Sequence, residues 1–180
     1  MLKDMATLSV TRQQEIDDVV ESVRVKTRMS YPDSNLLDVA EKLGVKVYYL
    51  DFSKFKSEKK EINGVINWKK EDGKEPYAEI YINKDFPSER KKFTLAHELG
   101  HYMLHPNEMK LRVDVYDYSK DSKESVEESE ANYFAASLLM PRDEFEKVLG
   151  VSNGDLRITA KYFGVSMRAA ETRLAWIHTN

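Results

Sequence analysis

The chain has 180 residues, 41% of them hydrophobic and 33% charged, which suits a globular fold large enough to bury a core. A formal charge of −3 gives the molecule as a whole no electrostatic case for binding nucleic acid, and the lack of cysteine excludes disulfides and thiolate-bound zinc, leaving His, Asp and Glu as metal ligands. No apolar run approaches the ~20 residues that span a bilayer and the polar amino terminus lacks a signal-peptide core, so no membrane association and a cytoplasmic location are expected.

Residues 1–32 are predicted to be helical, because Ile16, Val19, Val20 and Val23 recur at helical spacing before Tyr31 and Pro32 close the stretch. A second helix is predicted over 34–43, capped by Ser34 or Asn35, with Leu36, Leu37, Ala40 and Leu43 on its apolar face and Gly44 as its stop. Residues 45–50 read as a strand and the lysine-rich 53–61 as a solvated loop. Two short β-like runs, 64–68 and 78–82, joined by a polar link at 69–77, suggest a hairpin or neighbouring antiparallel strands. A helix opening at Pro87, Ser88 and Glu89 should run to about His105, with Leu95, Leu99, Tyr102 and Met103 toward the core. Residues 107–123 show no sustained period and read as a loop. A helix from about 124 to 140, a short helix at 142–149 and a helix-turn-helix pattern over 156–177 complete the chain.

The chemistry concentrates in His97-Glu98-Leu99-Gly100-His101. Residues four apart share a helix face, so His97 and His101 can converge on one metal ion. Glu98 stands beside them, placed to reach a metal-bound water rather than the metal, which is the H-E-x-x-H pattern of zinc hydrolases. A catalytic zinc site needs a third protein ligand. Glu128 has the best geometry, because Asn132 lies four residues on and can hydrogen-bond a ligand histidine from the same face. Glu127 and Glu130 point roughly 100° or more to either side, given ~3.6 residues per turn, and remain the alternatives. First-turn carboxylates also favour the helix dipole with no further role. His105 continues the 97–101 row, but the row rises about 12 Å from 97 to 105, too far for one tetrahedral ion. It reads as a structural group at the helix end, and His178 as a surface residue.

The block from Phe93 to His105 (FTLAHELGHYMLH), followed by Glu128 to Pro141 (ESEANYFAASLLMP), closely resembles the ImmA/IrrE metallopeptidases. Residues 36–47, 78–83, 163–166 and 173–174 are similar to further segments of that family. The resemblance implies a zinc endopeptidase with His97, His101 and Glu128 as metal ligands, Glu98 as general base, and a helix-turn-helix repressor of a mobile element, phage or stress programme as its protein substrate. Asn132 stands where related enzymes often carry Asp. The expected architecture is α+β: a small antiparallel or mixed sheet packed on the H-E-x-x-H helix and on a second, glutamate-bearing helix, with a helix-turn-helix-like carboxy-terminal segment. It is expected as a single unit, 1–180, comprising an amino-terminal helical region (1–32), a catalytic core (33–141) and a carboxy-terminal helical segment (142–180).

Two roles stay open at this level. The strand at 78–82 could pair with an extended peptide, or be an ordinary sheet strand. Tyr102, Tyr116, Tyr118 and Tyr133 are candidate oxyanion donors. The rival readings are a sensor or toxin–antitoxin component that binds a repressor without cleaving it, and a DNA-binding regulator resting on 156–177. That segment offers only Arg157, Lys161, Arg168 and Arg173 as cations, so direct nucleic-acid binding is not expected.

Overall fold

Side-chain caps and apolar spacing set the first helices. The computed structural model describes residues 8–32, 35–55, 60–70, 72–73, 77–105, 112–117 and 126–179, with 60 and 112–117 through their backbone alone. Helix α1 (Val10–Thr27) starts where the Ser9 hydroxyl accepts from the Arg12 N–H at 3.2 Å, and it buries Ile16, Val20 and Val23 on one face. Helix α2 (Leu36–Lys42) is capped by Asn35, whose side-chain oxygen accepts from the Leu37 N–H. Within the expected 1–32, α1 begins after the Ser9 cap and ends at Thr27, where Arg28 turns left-handed at φ 55°, and α2 ends one residue before Leu43; residues 1–7 and Ser34 lie outside the described residues.

Four strands form one sheet: β1 (Val45–Leu50), β2 (Lys60–Lys69), β3 (Tyr77–Asn83) and β4 (Arg112–Asp117), in the order β1-β3-β2-β4. β1 runs parallel to β3, while β2 is antiparallel to both β3 and β4, so the sheet is mixed. Two expectations are corrected here. Lys60 and Glu61, assigned to a loop, already belong to β2, and Ser53–Phe55 form one turn of 3-10 helix; residues 56–59 lie outside the described residues. The loop expected over 107–123 contains β4, whose Val113 and Asp114 pair with Val65 and Gly64 of β2. Its sequence alternates, but half its positions are charged, and only the ladder offered by β2 makes the run a strand. The remainder of that loop, 107–111 and 118–123, lies outside the described residues.

The inner face of the sheet, with Ile66, Ala78, Ile80 and Ile82 buried, packs on helix α3 (Ser88–Leu104). Helix α4 (Val126–Leu139) lies against α3, and α1 packs against α4 in turn. Leu99 of α3 and Phe134 of α4 are both fully buried. Truncating such a phenylalanine to alanine costs about 3–5 kcal/mol.

Helices α5 (Arg142–Val151), α6 (Leu156–Phe163) and α7 (Met167–His178) follow. Phe145 and Phe163 stack with centroids 5.9 Å apart. Arg173, 3% exposed, donates from Nε to the Met140 carbonyl and from Nη1 to Ser137 Oγ, each at 2.9 Å. Arg173 of α7 thus satisfies groups at the carboxy-terminal end of α4. Among the described residues, no helix is long and apolar enough to cross a membrane.

Candidate metal centre

His97 and His101 sit one turn apart on α3, both buried, with their Nε2 atoms 3.0 Å apart and ring planes at 86°. Glu128, in the first turn of α4, places Oε2 at 3.2 Å from His97 Nε2 and Oε1 at 3.6 Å from His101 Nε2. Around a tetrahedral zinc with bonds of about 2.0–2.1 Å, neighbouring ligand atoms stand about 3.3 Å apart. The three separations observed, 3.0, 3.2 and 3.6 Å, bracket that edge length. Two imidazoles and one carboxylate are also the donor set of a hydrolytic zinc site. These residues could therefore hold zinc.

Asn132 stands where spacing put it. Its Oδ1 lies 2.9 Å from His97 Nδ1, so Nδ1–H donates to it and the Nε2 lone pair of His97 is directed at the cluster. Of the two alternative ligands, Glu130 is taken by Arg12, whose Nε and Nη2 donate to it at 2.7 and 3.0 Å. These hydrogen bonds hold its carboxyl below the usual glutamate range. Glu127 does not join the cluster of His97, His101 and Glu128. His105 ends α3, with Nε2 at 3.5 Å from Glu130 Oε2 and outside the cluster, and His178 is exposed.

Glu98 is fully buried on α3. The strand facing it is shaped to admit its carboxylate: a Cβ on Gly64 of β2 would lie 2.5 Å from Glu98 Oε1 and 2.9 Å from Thr94 Cγ2. Gly100 has a related role between the helices, since a Cβ there would meet Ala131 Cα and its carbonyl oxygen at 3.1 Å. Absence of a side chain at 100 lets α4 approach closely enough for Glu128 to meet the histidines. Sequence reasoning missed both positions. The available signals were a glycine inside a β-like run and the Gly100–Ala131 pair of small residues.

The open roles are narrowed. β3 pairs with β1 on one side and β2 on the other, so residues 78–82 form an ordinary central strand with no edge for a peptide. The Tyr102 hydroxyl donates to the Leu43 carbonyl at 3.2 Å and its ring stacks on Trp68, while the Tyr133 hydroxyl donates to Asp17 Oδ2 at 3.0 Å. Both phenols are engaged away from the cluster. The side chain of Tyr116 and all of Tyr118 lie outside the described residues. Of the carboxy-terminal cations, Lys161 and Arg168 are exposed, Arg157 pairs with Asp155 at 3.3 Å, and Arg173 is buried.

Comparison with known proteins gives the family. A family model described as the IrrE N-terminal-like domain, of the peptidase class, matches residues 40–175. The chain is 41% identical over 71 residues to the radiation response metalloprotease IrrE of Deinococcus deserti, and 39% identical over 71 residues to that of Deinococcus radiodurans. In each case the alignment covers 39% of this chain, and it spans 25% and 21% of the two relatives. The His97–His101–Glu128 cluster falls inside the matched region, and the chain belongs to the IrrE N-terminal-like domain family of peptidases.

Proposed function

We propose that the protein is a zinc-dependent endopeptidase whose substrate is a helix-turn-helix transcriptional repressor. The observation that carries the hydrolytic part is the convergence of His97, His101 and Glu128 at tetrahedral spacing beside a buried Glu98. The repressor rests on the resemblance of the two motif blocks to ImmA/IrrE proteins.

When bound, zinc supplies a water with pKa lowered to about 7 and polarises the scissile carbonyl. His97 is held by Asn132 in the tautomer that turns Nε2 inward, and Glu128 closes the ligand set from α4. The Glu98 carboxylate accepts the proton of the attacking water as its oxygen joins the carbonyl carbon. It then delivers that proton to the amide nitrogen as the C–N bond breaks. An extended substrate would add by backbone pairing to β4, the last strand in the order β1-β3-β2-β4 and the one that pairs with Gly64.

The test incubates the zinc-loaded protein and its Glu98→Gln variant with the helix-turn-helix repressor encoded nearest its gene. Cleavage by the wild type alone, with zinc retained by both, is expected. Equal cleavage by both removes Glu98 as base, and repressor binding without cleavage by either replaces the endopeptidase with a binding module.

A further inference from the structure

Helix α1 precedes residue 40, where the family match begins, yet it grips the helix that carries Glu128. Arg12 Nε and Nη2 donate to the two oxygens of Glu130 at 2.7 and 3.0 Å, a bidentate fork onto a carboxylate that is only 7% exposed. Glu130 lies two residues beyond Glu128, and its Oε2 is 3.5 Å from His105 Nε2 at the end of α3. One carboxylate thereby touches α1 and the ends of both site helices. A second tie runs one turn further along α4, where Tyr133 donates to Asp17 of α1 at 3.0 Å. The remaining Nη1 of Arg12 donates to Glu15, an exposed neighbour on α1, at 2.8 Å.

Glu128 occupies the first turn of α4, and first turns fray because their N–H groups have no partner within the helix. Its orientation therefore depends on what holds the next residues in place. We propose that Arg12 is a positioning residue of the metal centre. Its fork onto Glu130 fixes the start of α4 and so the distance from the Glu128 carboxylate to His97 and His101. This inference rests on the reading of that cluster as a zinc site. It adds a contribution from α1, a helix outside the matched region.

The experiment measures zinc affinity by competition with a chromophoric chelator, beside circular dichroism and thermal melting of the metal-free proteins. It uses the full chain as wild type, Arg12→Met, Arg12→Lys, Glu130→Gln and Glu15→Gln. Arg12→Met is expected to bind zinc about 10–100-fold more weakly with unchanged helix content, the scale on which groups behind metal ligands act. On a cleaved protein substrate its kcat should fall while KM holds. Arg12→Lys keeps the charge without the fork and should fall between. It also keeps the proposal readable if the methionine variant does not fold. Glu15→Gln should match the wild type. Wild-type zinc affinity in Arg12→Met and Arg12→Lys, with only the melting temperature lowered, reduces the fork to a structural tie and overturns the proposal. Failure of the wild type itself to bind one zinc instead overturns the zinc reading.

Discussion

The α3–α4 pair and the α6–α7 pair both bury polar side chains, but to opposite ends. In α6–α7, Thr159 donates to the Asp155 carbonyl and Arg173 to the Met140 carbonyl, so each buried polar group completes the backbone beside it. In α3–α4, His97, His101 and Glu128 turn their nitrogens and oxygens toward one another across a gap of 3.0–3.6 Å. A buried polar group matched to the backbone is explained by the fold. Three potential ligand atoms gathered around one point form instead a donor set that could hold a cation. The difference separates architecture from site more sharply than helical pattern does, since both pairs follow the same 3.6-residue period.

Changes aimed at the two pairs should therefore diverge. The largest effect is expected from Gly64→Ala, which puts a methyl group where the Glu98 carboxylate lies. A displacement of about 1 Å can cost 10²-fold in rate, so cleavage should fall by about that factor while zinc affinity, measured by chelator competition, stays near wild type. Asn132→Ala comes next. It frees His97 Nδ1 from its acceptor, and zinc affinity should fall about 10–100-fold, visible in the same titration. On the other pair, Ser166 caps α7 by accepting from the Ala169 N–H at 3.2 Å. Ser166→Ala should lower unfolding stability by about 1 kcal/mol in denaturant titration and leave zinc affinity untouched.

The smallest effect is one of pH. Arg157 and its backbone N–H hold the Asp155 carboxyl below the usual aspartate range. A lowered folded-state pKa contributes stability that is present above about pH 4 and is lost as the pH falls through the lower value. The melting temperature of Asp155→Asn should therefore lie below the wild type near neutrality and converge with it in acid, with zinc affinity at pH 7 unchanged. A shift in zinc affinity from either carboxy-terminal variant would erase the contrast between the two pairs.

Much of the candidate site was legible because its rules are local. His97 and His101 share a face by helical spacing, Glu98 follows from the motif, and Asn132 marks Glu128 because it lies one turn away. What stayed hidden depends on segments distant in sequence. Gly64 acquires its meaning only when β2 crosses α3, and Arg12 only when α1 reaches α4. β4 was obscured for a similar reason: its charged alternation resembles a loop until β2 is laid beside it. The strand at 78–82 suggested a peptide track by its sequence, but sheet order decides which strand has a free edge. The carboxy-terminal pattern matched helix-turn-helix spacing, although spacing alone did not reveal that Arg173 turns inward to cap α4.

The most direct test of the account is the metal content of the protein purified without chelator and re-equilibrated with zinc, measured beside His97→Ala and Glu128→Ala. One zinc per wild-type chain, with sharply reduced occupancy in both variants, is the predicted result. No stoichiometric zinc in the wild type, or full occupancy in either variant, would contradict the assignment of His97, His101 and Glu128 as one metal centre.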